Sequence, residues 1–173
     1  MSNNTYEKGD DKDYAILTKT IDMYQNRLKD VKIGLIKTFA PRDDNGDIKK
    51  NAIVRRGATV YAYINLVHPK NKLFKPYSAE ITIDGDKWME FTDEKKMALL
   101  DHELTHVDFK LDKKTGDVKK DEDGNPILRL IYDEIQFTAF SSVARKHGPN
   151  SVEYQTLQTL KDKFGDEFGL NNK

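Results

Sequence analysis

The chain has 173 residues, of which 37% are hydrophobic and 34% charged, and its 29 basic and 29 acidic residues give a formal net charge of zero. This length suits one domain with its own core, and 8 Phe, 8 Tyr and 1 Trp are too many aromatic residues for a disordered chain. Zero net charge argues against a general nucleic-acid binder, although not against a local basic patch, and the absence of cysteine excludes disulfides, Cys-ligated zinc and thiol nucleophiles.

The N-terminal segment is polar, and we expect residues 1–10 to form a flexible tail. Residues 1–14 contain neither a basic start nor an apolar stretch of the kind that marks a secretory signal. The chain also lacks an apolar run of the roughly 20 residues needed to cross a bilayer. We therefore expect a soluble cytoplasmic protein without a membrane partner.

Hydrophobic spacing predicts the remaining elements in chain order. Apolar residues at helical spacing predict a helix over 13–30, and segments rich in β-formers predict strands over 31–39, 58–67 and 79–84. Thr92, followed by two acidic residues, predicts the start of a helix that continues to His106. A charged insert with turn residues predicts a protruding hairpin over 108–131, and helices follow over 132–147 and 151–164. Helix, strands and then helices indicate an α+β fold.

The sequence His102-Glu-Leu-Thr-His106 is the motif that carries chemistry. Residues four apart lie on one face of a helix, so both imidazoles can reach one metal ion. Zinc accepts imidazole nitrogen and lowers the pKa of bound water towards about 7. Glu103 lies beside that position and can take a proton from the water. The motif therefore predicts hydrolysis of a peptide (amide) bond by a metal-activated water, with Glu103 as the general base.

Catalytic zinc takes a third protein ligand, and the best candidates open the following predicted helix. Asp133 shares a helical face with Phe137 and Phe140, where a carboxylate is costly unless it is paired with a charge or a metal. Glu134 lies on a more polar face and is the alternative third ligand. A simple N-terminal helix acid remains the competing interpretation of Asp133.

The motif and its surroundings resemble the putative phage metallopeptidase family, a zincin-like group. The similarity covers roughly residues 30–148. It includes the Ile-Gly-Leu-Ile segment of the first predicted strand, strand 80–84, Trp88, the Leu-Leu-Asp-His-Glu-Leu helix, the charged hairpin, residues 132–137 and residues 146–148. In that family an acidic residue four before a Phe opens the next helix, and Asp133 has this position here. The resemblance also implies that strand 79–84 is a sheet edge that binds substrate as an added strand through Glu80, Ile81 and Thr82.

Together these observations predict a single zincin-like domain over 11–166 with a small mixed or antiparallel sheet, an active-site helix and following helices, and a C-terminal tail over 167–173. The predicted function is that of a zinc-dependent metallopeptidase acting on a protein or peptide, in the host cytoplasm if the protein is phage-encoded. The main alternative is a non-catalytic metal-binding scaffold that binds a host or phage protein. A peptidase associated with DNA is a third hypothesis, which the neutral charge weakens.

Overall fold

The main sheet of the protein is a four-stranded mixed sheet with helices packed on one face. The computed structural model describes residues 4–48, 50–55, 58–68, 70–71, 74–131, 147–150 and 152–165. The strands in chain order are β1 (Thr5–Lys8), β2 (Ile33–Phe39), β3 (Val54–Arg55), β4 (Ala58–Thr59), β5 (Ala62–Leu66), β6 (Ala79–Asp84), β7 (Val107–Phe109) and β8 (Leu128–Leu130). The α-helices are α1 (Asp11–Tyr24), α2 (Gly85–Glu90), α3 (Asp93–Thr105) and α4 (Val152–Phe164), with 3₁₀ turns at Asn26–Leu28 and Gly148–Asn150.

The main sheet has the order β1-β2-β6-β5. Strands β2 and β6 pair in parallel, whereas β1 pairs antiparallel with β2 and β5 antiparallel with β6. Two further antiparallel pairs are separate from this sheet: β3 with β4, and β7 with β8. The described residues therefore form a mixed α+β fold with a small mixed sheet.

One strand position differs from the sequence-based prediction. Strand β6 lies between β2 and β5, so the expectation that residues 79–84 form an edge is wrong. A bound peptide cannot join β6 at Glu80, Ile81 or Thr82, because β2 and β5 already occupy both sides of the strand. The alternating pattern of the strand reflects which face is buried, whereas the order of strands depends on pairing between distant segments.

The N-terminal segment also differs from its prediction. Residues Thr5–Lys8 form β1 against β2, so the predicted flexible tail does not hold there. Asp10 then caps α1, because its side chain accepts hydrogen bonds from the backbone N–H groups of Lys12 and Asp13 at 3.0 Å each. Strand and cap together anchor the segment that precedes α1.

The core lies between one face of the main sheet and the helices. Alternate residues of β2, β5 and β6 point to this face, as a period of two requires, and α1, α2 and α3 contribute the opposing side chains. The most deeply buried members include Leu35, Ile81, Ile83, Leu100 and Leu104, all at most 1% exposed. Burial of Leu100 and Leu104 fixes α3 against the sheet.

The chain forms two compact units, Met1–Tyr132 and Asp133–Lys173. The first contains the main sheet, α1 to α3 and the hairpin β7–β8, whose strands Val107–Phe109 and Leu128–Leu130 flank the charged insert of the hairpin predicted over 108–131. The second contains α4, which agrees with the helix predicted over 151–164. The helix predicted over 132–147 falls almost entirely outside the described residues. Among the described helices, none has both the length and the apolar character required to cross a membrane.

Candidate metal centre

Helix α3 carries the His-Glu-Leu-Thr-His sequence, and local signals explain its bounds. Thr92 caps the first turn through its side chain, and Asp93 and Glu94 complement the positive end of the helix dipole. The helix ends at Thr105, but His106 keeps right-handed helical dihedral angles, φ −65° and ψ −17°. The spacing of one helical turn between His102 and His106 is therefore preserved.

The two imidazoles lie side by side at the end of α3. Their ring centroids are 5.0 Å apart, and the ring planes are almost perpendicular, at 88°. Two imidazoles that bind one tetrahedral zinc ion at 2.0–2.1 Å would have centroids roughly 5 Å apart. His102 is exposed and His106 half-buried, so the pair is open to solvent on one side. Their spacing fits the first two positions of a zinc site.

A backbone hydrogen bond orients the imidazole of His106. Its Nδ1 atom lies 2.9 Å from the carbonyl oxygen of Ile131, and a carbonyl oxygen only accepts, so Nδ1 carries the proton. With Nδ1 as the donor, Nε2 is the ring nitrogen that would bind a metal. Histidine ligands of metals commonly donate their second ring nitrogen to a carbonyl or carboxylate in this way. The backbone N–H of Ile131 also donates to the carbonyl oxygen of His106 at 2.8 Å, so two hydrogen bonds join these residues.

Glu103 lies between the two histidines in sequence and is buried, with 5% of its surface exposed. Successive residues of an α-helix differ by about 100° in direction, so Glu103 and His102 point along different but neighbouring sides of α3. A carboxylate is costly to bury unless it is paired or hydrogen-bonded. Glu103 is therefore a buried carboxylate on the same helical turn as the two imidazoles.

Hairpin β7–β8 begins directly after His106 and supplies Ile131 at its other end. Asp108 and Arg129 are direct cross-strand partners in this hairpin, and the Nε atom of Arg129 donates to Oδ2 of Asp108 at 3.0 Å. This hydrogen bond with the guanidinium holds the pKa of Asp108 below its usual range. The ion pair ties together the base of the hairpin, where the acceptor of His106 lies.

The residues predicted as the third metal ligand do not belong to the described part of the chain. There, no group of three or more His, Asp or Glu side chains is arranged to hold a metal ion. Asp133 and Glu134, the two predicted candidates, lie outside the described residues. His68 and His147 are both exposed, and Nδ1 of His68 accepts from the backbone N–H of Lys70 at 3.3 Å.

Sequence reasoning located the histidines and the glutamate but missed Ile131. The acceptor for His106 is a backbone carbonyl, which every residue has, so no side-chain signature could have identified it. Only the pairing of β7 with β8 brings this carbonyl to the imidazole.

The described residues also form a groove whose lining does not include this centre. It has a volume of about 880 Å³ and runs between the end of β5 and the hairpin, with apolar walls that include Leu66, Val67 and Leu128. Charged residues of the hairpin tip line its other side, and His102, Glu103 and His106 are not part of its lining.

Comparison with known proteins gives one match. Residues 10–164 match the sequence model of a family described as "Putative phage metallopeptidase". Neither a curated protein nor a solved structure matches the chain.

Proposed function

Because the chain belongs to the putative phage metallopeptidase family, we propose that it is a zinc-dependent peptidase of the zincin type. In this proposal His102 and His106 bind the zinc ion, and Glu103 is the general base. The observation that carries it is the hydrogen bond between Nδ1 of His106 and the carbonyl oxygen of Ile131, an arrangement common among histidines that bind metals.

The donor set suits zinc better than a hard cation. Imidazole nitrogen is a ligand of zinc and other transition metals, whereas magnesium and calcium prefer oxygen. When bound, zinc supplies a Lewis acid that polarises the substrate carbonyl and lowers the pKa of water. In this proposal Asp133 would be the third ligand, with Glu134 as the alternative.

Glu103 moves the protons of the reaction. Its carboxylate accepts a proton from the attacking water and later donates it to the nitrogen of the departing amine. Burial keeps the side chain in one place, which favours transfer over a short fixed distance. These roles need no covalent intermediate and no nucleophile from the protein.

The substrate in this proposal is an extended peptide segment that joins the outer edge of β5. Val67 donates its N–H to the carbonyl of Ser78, and Asp84 donates to the carbonyl of Tyr61. In an antiparallel pair, residues whose backbone groups bond to the partner strand alternate with residues whose backbone groups point the other way. The backbone groups of Ala62, Ile64 and Leu66 therefore point away from β6. β5 is also the edge strand that packs against α3. In this proposal the outer edge of β5, rather than β6, binds the substrate as an added strand.

A peptide-library assay tests the proposed function. Purified zinc-loaded protein is incubated with a library of fluorogenic peptides, beside the E103Q variant and beside wild type treated with a chelator. We expect cleavage by zinc-loaded wild type alone. Zinc binding without cleavage of any library peptide would oppose the peptidase assignment and favour the non-catalytic scaffold, which binds a protein without hydrolysing it.

A further inference from the structure

A side-chain amide holds the end of α3 from outside the helix. Gln25 directly follows α1, and its Nε2 atom donates to Oδ1 of Asp101 at 2.6 Å and to Oγ1 of Thr105 at 3.0 Å. Thr105 in turn donates its hydroxyl proton to the backbone carbonyl of Asp101 at 2.8 Å. Both groups facing Gln25 are therefore acceptors, which fixes the amide with its two N–H bonds toward α3.

The two residues held by Gln25 directly precede the two histidines. Asp101 and Thr105 are four apart, as are His102 and His106, so the amide spans the same helical turn as the imidazole pair. Neighbouring residues of a helix point about 100° apart, so Gln25 contacts a side of the turn that the histidines do not use. It can fix the turn without blocking the metal.

A second group supports the same helix end. Arg27 Nη2 lies 3.4 Å from the carbonyl oxygen of Leu104, one of the last carbonyls of α3. Such carbonyls lack partners within a helix, and a cation there also complements the negative end of the helix dipole. Arg27 Nη1 lies 3.9 Å from Oδ1 of Asp108 as well, which connects the helix end to the hairpin.

We propose that Gln25 is a positioning residue that keeps the last turn of α3 ordered, and thereby the His102–His106 pair ready for zinc. This inference rests on the proposed function. The terminal turns of helices open more easily than central ones. Leu100 and Leu104, both fully buried, anchor one side of α3, and the Gln25 amide holds the side that carries Asp101 and Thr105. Loss of the Gln25 amide therefore loosens the turn that carries the histidines and leaves the fold intact.

The expected consequence follows from population arithmetic. A ligand that binds only the ordered turn has an apparent dissociation constant equal to the intrinsic constant divided by the ordered fraction. If the ordered fraction falls to about one tenth, the zinc affinity falls about tenfold. Removal of groups that orient metal ligands from outside typically lowers metal affinity by about 10–100-fold.

The Gln25→Leu variant tests this role, because it removes the amide and keeps a similar side-chain size. Gln158→Leu is the matched control, since Gln158 Nε2 also donates to an aspartate, Oδ1 of Asp162 at 2.8 Å, on α4. Zinc affinity is measured by competition with a chromophoric chelator, and urea unfolding is measured on zinc-free protein. We expect Gln25→Leu to bind zinc about tenfold more weakly than the control, with the same unfolding midpoint.

Thr105 provides an independent check from the other side of the hydrogen bond. Thr105→Val removes the acceptor and should weaken zinc binding, whereas Thr105→Ser retains the hydroxyl and should restore the affinity. The Gln25→Leu/Thr105→Val double variant should bind zinc as tightly as the weaker-binding single variant, because both changes break one shared contact. The visible absorption of bound Co²⁺ should change in the same variants, since it reports ligand geometry.

Two results would overturn the role of Gln25 without touching the proposed function. One is that wild type binds zinc and that both Gln25→Leu and Thr105→Val bind it with the same affinity as wild type. The other is a lower unfolding midpoint in Gln25→Leu with unchanged zinc affinity, which would make Gln25 a purely structural residue. A wild-type protein that binds no zinc would instead overturn the proposed function, and the positioning role with it.

Discussion

The indole Nε1 of Trp88 donates a hydrogen bond of 2.7 Å to Oδ1 of Asp13, and both residues are buried. The second carboxylate oxygen of Asp13 accepts from the backbone N–H of Asp10 at 2.9 Å and lies 3.1 Å from Nζ of Lys37. A buried carboxylate is tolerated when its oxygens are paired in this way. The cluster joins α1, α2 and β2, and α1 packs against α3, which carries His102. It therefore belongs to the frame that holds the candidate metal centre.

We predict that Trp88→Phe lowers the free energy of unfolding by about 1–3 kcal/mol or more. The change removes the donor to a buried charged acceptor, which alone costs about 1–3 kcal/mol, and it also leaves space in the core. Urea unfolding followed by circular dichroism measures the loss. Tyr61→Phe, at a half-exposed position 47% accessible to solvent, is the control and should change stability little. Equal stability of Trp88→Phe and wild type would contradict a stabilising role for this hydrogen bond.

We predict that the protein binds about one zinc ion per chain and that His102→Ala or His106→Ala abolishes this binding. Each change removes one of two imidazole ligands from the proposed site. Mass spectrometry under native conditions measures the stoichiometry. Zinc should also raise the thermal midpoint of wild type and not of these variants, since a ligand that binds the native state stabilises it.

The other two histidines provide the controls for zinc binding. His68 and His147 are exposed, so alanine at either position should retain zinc and its stabilising effect. Wild-type protein that takes up no zinc when zinc is offered would refute the proposed metal centre. Loss of zinc in His68→Ala would show that the loop after β5 contributes a ligand.

We predict that Glu103→Gln retains zinc and the fold but loses at least about a hundredfold in peptide cleavage. Removal of a general base typically costs about 10²–10⁴ in rate, whereas glutamine keeps the size of the buried side chain. Steady-state kinetics on one cleaved library peptide and zinc stoichiometry are measured on the same preparation. Loss of zinc in this variant would instead indicate that Glu103 is a ligand or a structural anchor.

Local signals in the sequence were sufficient to predict α3 and the spacing of one helical turn between its two histidines. Thr92 caps the helix, and the spacing of Leu100, Leu104 and the two histidines follows from 3.6 residues per turn. These features involve residues close together in the chain, so one sequence contains them. The hairpin β7–β8 was predicted for the same reason, because a charged insert with turn residues separates two apolar segments.

Long-range pairing explains what the sequence did not predict. The position of β6 between β2 and β5 depends on partners far away in the chain, and the alternation within β6 is the same for an edge strand and a central one. The predicted strand over 58–67 is interrupted, with Ala58–Thr59 pairing with β3 and Ala62–Leu66 with β6. Gln25 is separated in sequence from Asp101 by 76 positions and from Thr105 by 80. The residues near Gln25 contain no pattern that predicts these contacts.

The last prediction concerns the carboxylate that completes the zinc site. On the helix predicted over 132–147, adjacent residues point about 100° apart, so Asp133 and Glu134 cannot both bind one zinc ion without distortion. Asp133 shares the sequence face of Phe137 and Phe140, where a carboxylate needs a positive partner. We therefore expect Asp133→Ala to weaken zinc binding strongly, whereas Glu134→Ala behaves as a surface change within roughly 0.5 kcal/mol of wild-type stability.

Zinc titration of the two alanine variants separates the candidates, with Asp133→Glu as a third variant that keeps the charge. Retained zinc affinity in Asp133→Glu, beside its loss in Asp133→Ala, would identify a carboxylate ligand rather than a simple helix N-terminal acid. The unfolding midpoint of zinc-free protein shows whether either change acts through stability instead. Strong zinc loss in Glu134→Ala, with Asp133→Ala close to wild type, would reverse the assignment and identify Glu134 as the third ligand.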